Sequence, residues 1–336
     1  MRANHKGFAL YEILLLLAIA STVGFVGWFV LSSNKSASNT LDQLADIASS
    51  GKASSKYSKI VAVGDIACDP TDRHFSGTDP SFCQSATTNA LLALLKPEAV
   101  LSLGDLQYND GTLSKFMDSY HQDWGKDKAK TYPVPGNHEY GTDEASGYFD
   151  YFADGQAGEK GKGYYSFDIG GWHLVALNSN CGDIGGCDQS SPQYEWLMKD
   201  LLSNKSACTL AFWHHPRFTS GRYNGDNNTT SRSAPFWDLL YQDRADVILN
   251  GHDHLYERFA LQRPDAGADS LGIRQFTVGT GGKALYKRSA VKENSQSLID
   301  DRFGVLAIDL LAKAYRWQFV ATSGEVLDSG YQQCSL

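Results

Sequence analysis

The sequence Gly-Asp-Leu-Gln-Tyr at residues 104–108 follows directly on the apolar run Ala-Val-Leu-Ser-Leu at residues 99–103. An apolar run of this length is typical of a buried strand, and open α/β sheets bind ligands beyond the carboxyl ends of their strands. Asp105 offers two oxygens there, and Tyr108 is close enough along the chain to reach the same place. Because carboxylate and phenolate oxygens are hard anionic donors, the pair suits a highly charged cation. Alone, however, a Gly-Asp pair after a strand is also a common turn.

Four further apolar runs end in side chains that can bind metal ions. They occupy residues 59–63, 131–135, 209–213 and 246–250, and they lead into Asp65, Asn137 with His138, His214, and His252 with His254. Each of these residues has an ordinary structural interpretation, such as an asparagine that holds a turn or a histidine satisfied in the core. Five strand ends that all deliver ligand-type residues are harder to explain in that way. We therefore predict one metal site at the edge of a sheet.

The same runs predict the fold class. A helix over residues 85–95, between the strands at 59–63 and 99–103, completes a β-α-β unit, and such a unit favours a parallel sheet. Strands are also predicted at residues 164–167, 172–177, 275–278, 305–310 and 315–320, and a second helix at residues 192–202. The last strands alternate in hydrophobicity and should pair antiparallel. The sequence thus predicts an α/β fold.

Composition and charge exclude several classes of protein. Of the 336 residues, 42% are apolar and 20% are charged, which is typical of a globular protein rather than a disordered one. Residues 1–58 contain five of the 30 Lys and Arg residues and three of the 38 Asp and Glu residues. The rest of the chain is therefore acidic, and we expect no nucleic-acid partner.

Six cysteines are present, and none forms the Cys-x-x-Cys pair of a thiolate zinc site. Cys181 and Cys187 enclose a short glycine-rich loop, so we expect a disulfide between them if the domain lies outside the cell. The sequence leaves open the pairing of the other four, which are Cys68, Cys83, Cys208 and Cys334.

The amino terminus predicts a membrane anchor. Residues 13–31 carry no charge, and as a helix they would span about 28 Å, close to the thickness of a bilayer core. Arg2 and Lys6 precede this segment, so its amino-terminal end should stay in the cytoplasm while the body of the protein crosses. We therefore expect a single-pass membrane protein that contacts the lipid bilayer through residues 8–31 and carries an extracytoplasmic domain.

The segment at residues 6–12 resembles the class III leader of type IV prepilins. The resemblance implies cleavage after Gly7, a new amino terminus at Phe8, and Glu12 as the fifth residue of the mature chain. The implied partners are a prepilin peptidase and the pilus machinery. The alternative is a plain signal anchor with Glu12 at the lipid headgroups. We divide the chain into the leader and anchor at residues 1–31, a Ser/Asn-rich tether at 32–58, and a catalytic domain at 59–336.

The order of the ligand-type motifs resembles that of the calcineurin-like metallophosphoesterases. The motifs are GD at residues 64–65, GDxxY at 104–108, GNHE at 136–139, a histidine before proline at 214–216, and GHxH at 251–254. Tyr108, Glu139 and the Tyr-Glu-Arg sequence at 256–258 resemble the purple acid phosphatase branch. The resemblance covers about residues 59–336, and it implies an α+β sandwich in which helices flank a β-sandwich.

Carried over position by position, the resemblance implies two metal ions. Asp65, Tyr108 and His254 would bind Fe(III). A divalent ion, taken as Zn, Fe(II) or Mn, would be bound by Asn137, His214 and His252. Asp105 would bridge the two ions. The donor types agree with this division, because the first group is rich in anionic oxygen and the second consists of imidazoles and an amide.

The resemblance also assigns residues to the reaction. His138 is implied as the general acid that protonates the leaving alkoxide, and the substrate phosphate would be contacted by Asn137, His138 and His215. Plant members of the family carry two further histidines after the His-x-Pro motif, whereas residues 219–225 of this chain contain none. His215, Arg217 and Arg222 are the candidates to replace them.

The expected reaction is the hydrolysis of phosphate monoesters by a metal-bound hydroxide, which makes the protein an acid phosphatase for small phosphorylated substrates. A phosphodiesterase or nucleotidase that uses the same metals is the alternative within the enzyme class. A pilin-like structural subunit with a catalytically silent body is the alternative outside it. A competent ligand at every implied metal position argues against the silent body.

Overall fold

The fold is described by a computed structural model for residues 57–76, 78–153 and 155–335. The predicted leader, membrane helix and all but the last two residues of the tether lie outside this part of the chain. Ser58, the last predicted tether residue, already belongs to the first strand. Among the described residues, no helix combines the length and the apolar character needed to cross a membrane.

Two β-sheets carry the fold. In chain order the strands are β1 (Ser58–Val63), β2 (Ala99–Leu103), β3 (Thr131–Val134), β4 (Tyr165–Ile169), β5 (Trp172–Ala176), β6 (Cys208–Phe212), β7 (Val247–Asn250), β8 (Tyr256–Phe259), β9 (Arg274–Val278), β10 (Ser295–Ile299), β11 (Gly304–Leu311), β12 (Ala314–Ala321) and β13 (Val326–Gln333). The first sheet has the order β13-β12-β11-β1-β2-β3, and the second has the order β10-β8-β9-β7-β6-β5-β4. The strands that precede the predicted ligands are parallel within each sheet, β1 to β3 in one and β6 with β7 in the other.

Helices connect the strands and cover the outer faces of the sheets. They are α1 (Ser85–Leu95), α2 (Leu113–Lys115), α3 (His121–Trp124), α4 (Ser146–Tyr151), α5 (Pro192–Ser203), α6 (Asn227–Thr230) and α7 (Ala234–Gln242). A π-helical turn (Phe116–Tyr120) joins α2 to α3, and 3₁₀ turns follow at Gly125–Lys130, Glu139–Gly141 and Asp143–Ala145. Helix α5 begins where the sequence predicts, because Pro192 fits its first turn and the Ser191 hydroxyl accepts the Tyr194 N–H at 3.3 Å.

Successive residues of the central strands face two different apolar layers. On β1, Ile60 and Ala62 pack between the two sheets, in the same layer as Phe212 of β6. Val61 and Val63 point the other way and pack against the helices on the outer face. Because both faces of these strands are covered, their sequences are continuously apolar instead of alternating.

The predicted strands and both predicted helices are confirmed to within two residues at each end. Strands β11 and β12 pair antiparallel, as expected, and β13 pairs antiparallel with β12. The sequence did not reveal β8, β10, β13, α7 or the helical segment after β2. Strand β13 shows why, since its sequence is largely polar and its pairing with β12 supplies the order that its own composition lacks.

Three disulfides link the described cysteines. The predicted Cys181–Cys187 bridge is confirmed. Cys68–Cys83 closes the loop after β1, and Cys208–Cys334 joins the start of β6 to the end of the chain across 126 residues. A bridge that closes so long a loop restricts the unfolded chain more than a short one does in the chain-entropy account.

Candidate metal centre

The carboxyl ends of β1, β2, β3, β6 and β7 meet at one place, and three of the residues there have a left-handed backbone. The φ angle is 60° at Asp65, 50° at Asp105 and 69° at His252. Side chains other than glycine rarely adopt this region, and strained residues of this kind cluster at functional sites. The turn at each residue directs its side chain toward the meeting point of the two sheets.

Two glycines allow the strand ends to approach one another closely. A Cβ atom at Gly136 would lie 2.1 Å from Asp105 Oδ1, and one at Gly104 would lie 2.6 Å from His214 Nδ1. Any side chain at these positions would push a predicted ligand away. The glycine before the ligand in the GD and GN motifs is therefore needed for packing as well as for the turn.

The first group of donors surrounds the Tyr108 hydroxyl. Tyr108 Oη lies 2.8 Å from Asp65 Oδ1, 2.9 Å from His254 Nε2 and 3.1 Å from Asp105 Oδ2. His254 Nε2 is also 3.2 Å from Asp65 Oδ1. All four side chains are buried. The structure therefore brings together every residue that the sequence analysis allotted to the first ion.

The second group of donors surrounds His214 Nε2. This atom lies 3.2 Å from Asp105 Oδ2, 3.2 Å from Asn137 Oδ1 and 3.1 Å from His252 Nδ1. Asp105 Oδ2 thus belongs to both groups. Asn137 differs from the other members, because it is exposed. These are the residues that the sequence analysis allotted to the second ion and to the bridge.

The donor set fits metal ions. His214 Nδ1 is 2.8 Å from the Leu103 carbonyl and His254 Nδ1 is 2.7 Å from the Ala284 carbonyl, so each Nδ1–H donates outward. In the neutral imidazoles, the lone pair of Nε2 then points into the site. There it faces carboxylate and amide oxygens, which are also hydrogen-bond acceptors. Acceptors at such distances repel one another unless a cation lies between them. Such an arrangement is typical of metal sites.

The charges of the ligands shift their pKa values in the direction expected for a cation site. Burial alone would raise the pKa of Asp105, but the neighbouring imidazoles of His214 and His138 hold it well below its usual range. Burial alone would lower the pKa of His214, but the charge of Asp105 raises it to about 9. Burial and the charges of Asp105 and Asp65 raise the pKa of Tyr108 well above its usual value, so its phenolate needs a strongly charged cation beside it.

Glu139 joins the loops after β2 and β3, a role that the sequence analysis did not assign. Its buried carboxylate accepts N–H groups from Asp105, Leu106 and Gly136 at 2.9, 2.9 and 2.7 Å. Burial and the charge of Asp105 raise the pKa of Glu139 to about 7. The only sequence signal was its position directly after His138. Glu139 thus positions the backbone that carries Asp105.

His138 lies at the open side of the centre. Its Nδ1 is 2.5 Å from the Asn109 carbonyl, its backbone N–H donates to Asp105 Oδ1 at 2.9 Å, and its Nε2 lies 3.8 Å from Asp105 Oδ2. The ring is partly exposed and its centroid is 4.2 Å from that of Tyr108. His138 therefore presents Nε2 to the space next to both donor groups.

The candidate phosphate contacts lie in different environments. His215 is buried, with Nδ1 2.8 Å from Ser179 Oγ, and its ring centroid is 4.4 Å from that of His252. Arg217 donates to the Thr230 carbonyl at 3.0 Å. Arg222, by contrast, is exposed.

Two tyrosines that the sequence analysis did not single out stack on His252 and His254, two of the candidate metal ligands. Tyr223 lies over His252 with 4.0 Å between ring centroids, and Tyr286 lies over His254 with 3.9 Å. Their spacing along the chain gives no sign of this, because both reach the site from loops.

A family model described as calcineurin-like phosphoesterase matches residues 58–256. Purple acid phosphatase 15 of Arabidopsis thaliana is 28% identical to this chain over 58% of the chain and 42% of that protein. Purple acid phosphatase 23 of the same plant is 33% identical over 47% of the chain and 37% of that protein. The chain therefore spans about two fifths of the length of these curated relatives.

Solved structures share the fold. The purple acid phosphatase PPD1 from yellow lupin (Lupinus luteus) seeds aligns with a TM-score of 0.67 and 20% identity, over 83% of this chain and 54% of that one. The structure named PhoD aligns with a TM-score of 0.56 and 12% identity, over 82% of this chain and 68% of that one. At these identities the likeness concerns the two-sheet sandwich alone.

Proposed function

The chain belongs to the calcineurin-like phosphoesterase family, and we propose that it hydrolyses phosphate monoesters with the help of two metal ions. One observation carries the proposal: Asp105 Oδ2 lies 3.1 Å from Tyr108 Oη and 3.2 Å from His214 Nε2, so it is shared by both donor groups. A carboxylate shared in this way suits a pair of ions. Purple acid phosphatases among the relatives support the same reaction.

The donor chemistry supports a particular pair of ions. Asp65, Asp105 and Tyr108 are hard oxygen donors and would hold Fe(III) together with His254. The amide of Asn137 and the imidazoles of His214 and His252 would hold Zn, Fe(II) or Mn on the other side of Asp105. When bound, such ions polarise the phosphoryl group and lower the pKa of water, so that a nucleophile is present at neutral pH.

His138 would provide the proton for the leaving group. Its Nδ1–H donates to the Asn109 carbonyl, which fixes the ring and directs Nε2 toward the open side of the site. A protonated Nε2 there donates to the oxygen of the departing alcohol as the P–O bond breaks. The exposed amide of Asn137 lies on the same side and is available to the phosphate.

A test on the full-length protein in detergent combines metal analysis with two substrates. We expect two metal ions per chain, rapid release of nitrophenolate from p-nitrophenyl phosphate, and slow release from bis(p-nitrophenyl) phosphate. Faster hydrolysis of the diester would favour the phosphodiesterase. Two bound ions with no hydrolysis of either ester would favour the catalytically silent body.

We also propose that the catalytic domain is extracytoplasmic and anchored through the apolar segment at residues 13–31. Three disulfides support the location, because such bonds persist in oxidising compartments. If the leader is processed by a prepilin peptidase, mass spectrometry of the membrane-extracted protein will find Phe8 at the amino terminus. An intact Met1 in a host with active peptidase would leave only the plain anchor.

A further inference from the structure

Arg222 is an exposed cation at the rim of the metal centre. Its guanidinium lies 4.9 Å from the ring centroid of Tyr286 and 6.0 Å from that of Tyr223. In the described part of the chain, this guanidinium makes no ion pair. Lys283, another cation near the site, is engaged, because it pairs with Asp72 at 3.2 Å. Arg222 thus has unused hydrogen-bond donors for an anion.

The backbone that carries Arg222 is tied to the metal-binding motif. Asp253, which separates the two histidines of the GHxH motif, accepts the Arg222 N–H at 2.9 Å and the Tyr223 N–H at 3.3 Å. The same carboxylate accepts the Thr219 hydroxyl at 2.6 Å. Asp253 therefore holds the 219–223 loop in register with the ligand histidines.

A second segment, at residues 289–292, is also hydrogen-bonded to this loop. The Ser289 N–H donates to the Ser220 carbonyl and the Lys292 N–H donates to the Ser220 hydroxyl, each at 2.8 Å. The Asn224 side chain donates to the Ala290 carbonyl, also at 2.8 Å. The loop is thus held both by Asp253 and by this second segment. Its backbone is already ordered, so little conformational entropy of the backbone is lost when Arg222 binds a ligand.

One tyrosine ring separates Arg222 from the metal ligands. Tyr286 stacks flat on His254, with 8° between the ring planes, and its N–H donates to the His254 carbonyl at 2.9 Å. Because His254 covers one face of this ring, the guanidinium of Arg222 lies over the other. The Arg222 guanidinium therefore cannot directly contact a phosphoryl group held at the donor groups. It can contact a second anionic group farther along the substrate.

From this layering we propose that Arg222 binds a second anionic group of the substrate. The favoured substrates are then phosphate monoesters whose alcohol part carries a further phosphoryl or carboxylate group. This inference rests on the proposed function, because it assumes that the reacting phosphoryl group lies at the metal centre. Arg222 would act as a specificity-determining residue, and Asp253 and Tyr286 would position it.

The test measures binding to the metal-loaded, full-length protein with phosphonates whose C–P bonds resist hydrolysis. Propane-1,3-bisphosphonate and propylphosphonate differ only in the second anionic group. We expect the wild type to prefer the bisphosphonate and Arg222→Gln to reduce that preference about 10–100-fold, the usual worth of a hydrogen bond between charged groups. Arg222→Lys should retain part of the preference, because the charge remains.

Arg316→Gln is the matched control, since Arg316 is an exposed arginine that lies 5.3 Å from the ring of Tyr57, near the opposite end of β1. It should leave the preference unchanged. In Arg222→Gln, turnover of fructose 1,6-bisphosphate relative to that of fructose 6-phosphate should fall as well.

Three results would overturn the inference. Equal weakening of both phosphonates by Arg222→Gln would place Arg222 at the reacting phosphoryl group, and no weakening would remove it from the site. Protein that takes up no metal would overturn the proposed function, and this inference with it. Metal content measured on the same samples separates that last case from the first two.

Discussion

The two halves of the candidate metal centre, one around Tyr108 and one around His214, differ in charge and in access to solvent. Around Tyr108, the donors include the carboxylates of Asp65 and Asp105, and all are buried. Around His214, the candidate donors other than Asp105 are imidazoles and an amide, which carry no negative charge, and Asn137 is exposed. Asp65, Asp105 and Tyr108 would largely neutralise an ion in the first half, whereas an ion in the second half would keep excess positive charge close to solvent. We therefore expect the first half to retain its ion and the second to attract the phosphate.

Removing the anion that both halves share should have the largest effect. We expect Asp105→Asn to lose both ions and to lower turnover by more than the loss of the general acid does, because one oxygen serves both groups. Metal analysis and kcat measurement on the same samples check this. Asp309→Asn, a change to a carboxylate paired with Arg316 away from the site, is the control. A full metal complement in Asp105→Asn would show that the two halves do not depend on it.

Removing the proton donor should leave both halves intact. We expect His138→Ala to keep both ions and to lose about 10²–10⁴-fold in kcat, the usual worth of a positioned acid. Metal analysis and kinetics on p-nitrophenyl phosphate, measured on the wild type and on His138→Ala, check this prediction. An empty site in this variant would mean that His138 is itself a ligand.

Removing one phenol oxygen should affect only the first half. A phenolate bound to Fe(III) absorbs visible light, so we expect oxidised wild type to be coloured and Tyr108→Phe to lose the band. The variant should retain some iron and some activity, because Asp65, Asp105 and His254 remain. Tyr286→Phe is the matched control and should keep the colour. Iron-replete wild type without a band, or a band that survives in Tyr108→Phe, would exclude Tyr108 as a ligand.

His173 lies outside the candidate centre, and its protonation should affect the stability of the fold instead of metal binding. His173 lies between Asp168 and Asp200, 2.9 and 2.8 Å from its two ring nitrogens. Burial would lower its pKa, but these hydrogen bonds and charges raise the pKa above its usual value. Its protonated form therefore stabilises the fold fully below about pH 6.5, and that stability is lost as the pH rises through the raised pKa.

Thermal unfolding as a function of pH measures this contribution. We expect the melting temperature of the wild type to decline above about pH 6.5 by more than that of His173→Gln, which cannot carry the charge. Asp243, whose carboxylate also interacts with His173, is present in both the wild type and the variant. Identical slopes would show that His173 carries no net charge in the folded state.

The meeting of these side chains could be predicted because the candidate ligands follow the ends of their strands within a few residues. The end of β1 leads to Asp65, the end of β2 to Asp105, and the end of β7 to His252. A continuous apolar run is a local signal for a strand buried on both faces. Once the strands are parallel within each sheet, their carboxyl ends share an edge, and the ligands that follow them meet there.

Other features depend on contacts between residues that are far apart in the chain. Nothing near Cys208 indicates Cys334 as its partner 126 residues away. Glu139 meets the N–H groups after β2 only because β2 and β3 are neighbours in the sheet. Burial and charge at Glu139 follow from that packing, and they set its pKa.

The sequence by itself determined the strands, the ligand types and the order in which they occur, since backbone propensity and the alternation of buried faces act over a few residues. Only the tertiary structure decided which side chains surround those ligands. Tyr223 and Tyr286 stack on His252 and His254, and Arg222 lies next to these tyrosines. These contacts form because the 219–223 loop is hydrogen-bonded to Asp253 and to the segment after Tyr286. Such contacts arise from packing between distant segments, and no local pattern encodes them.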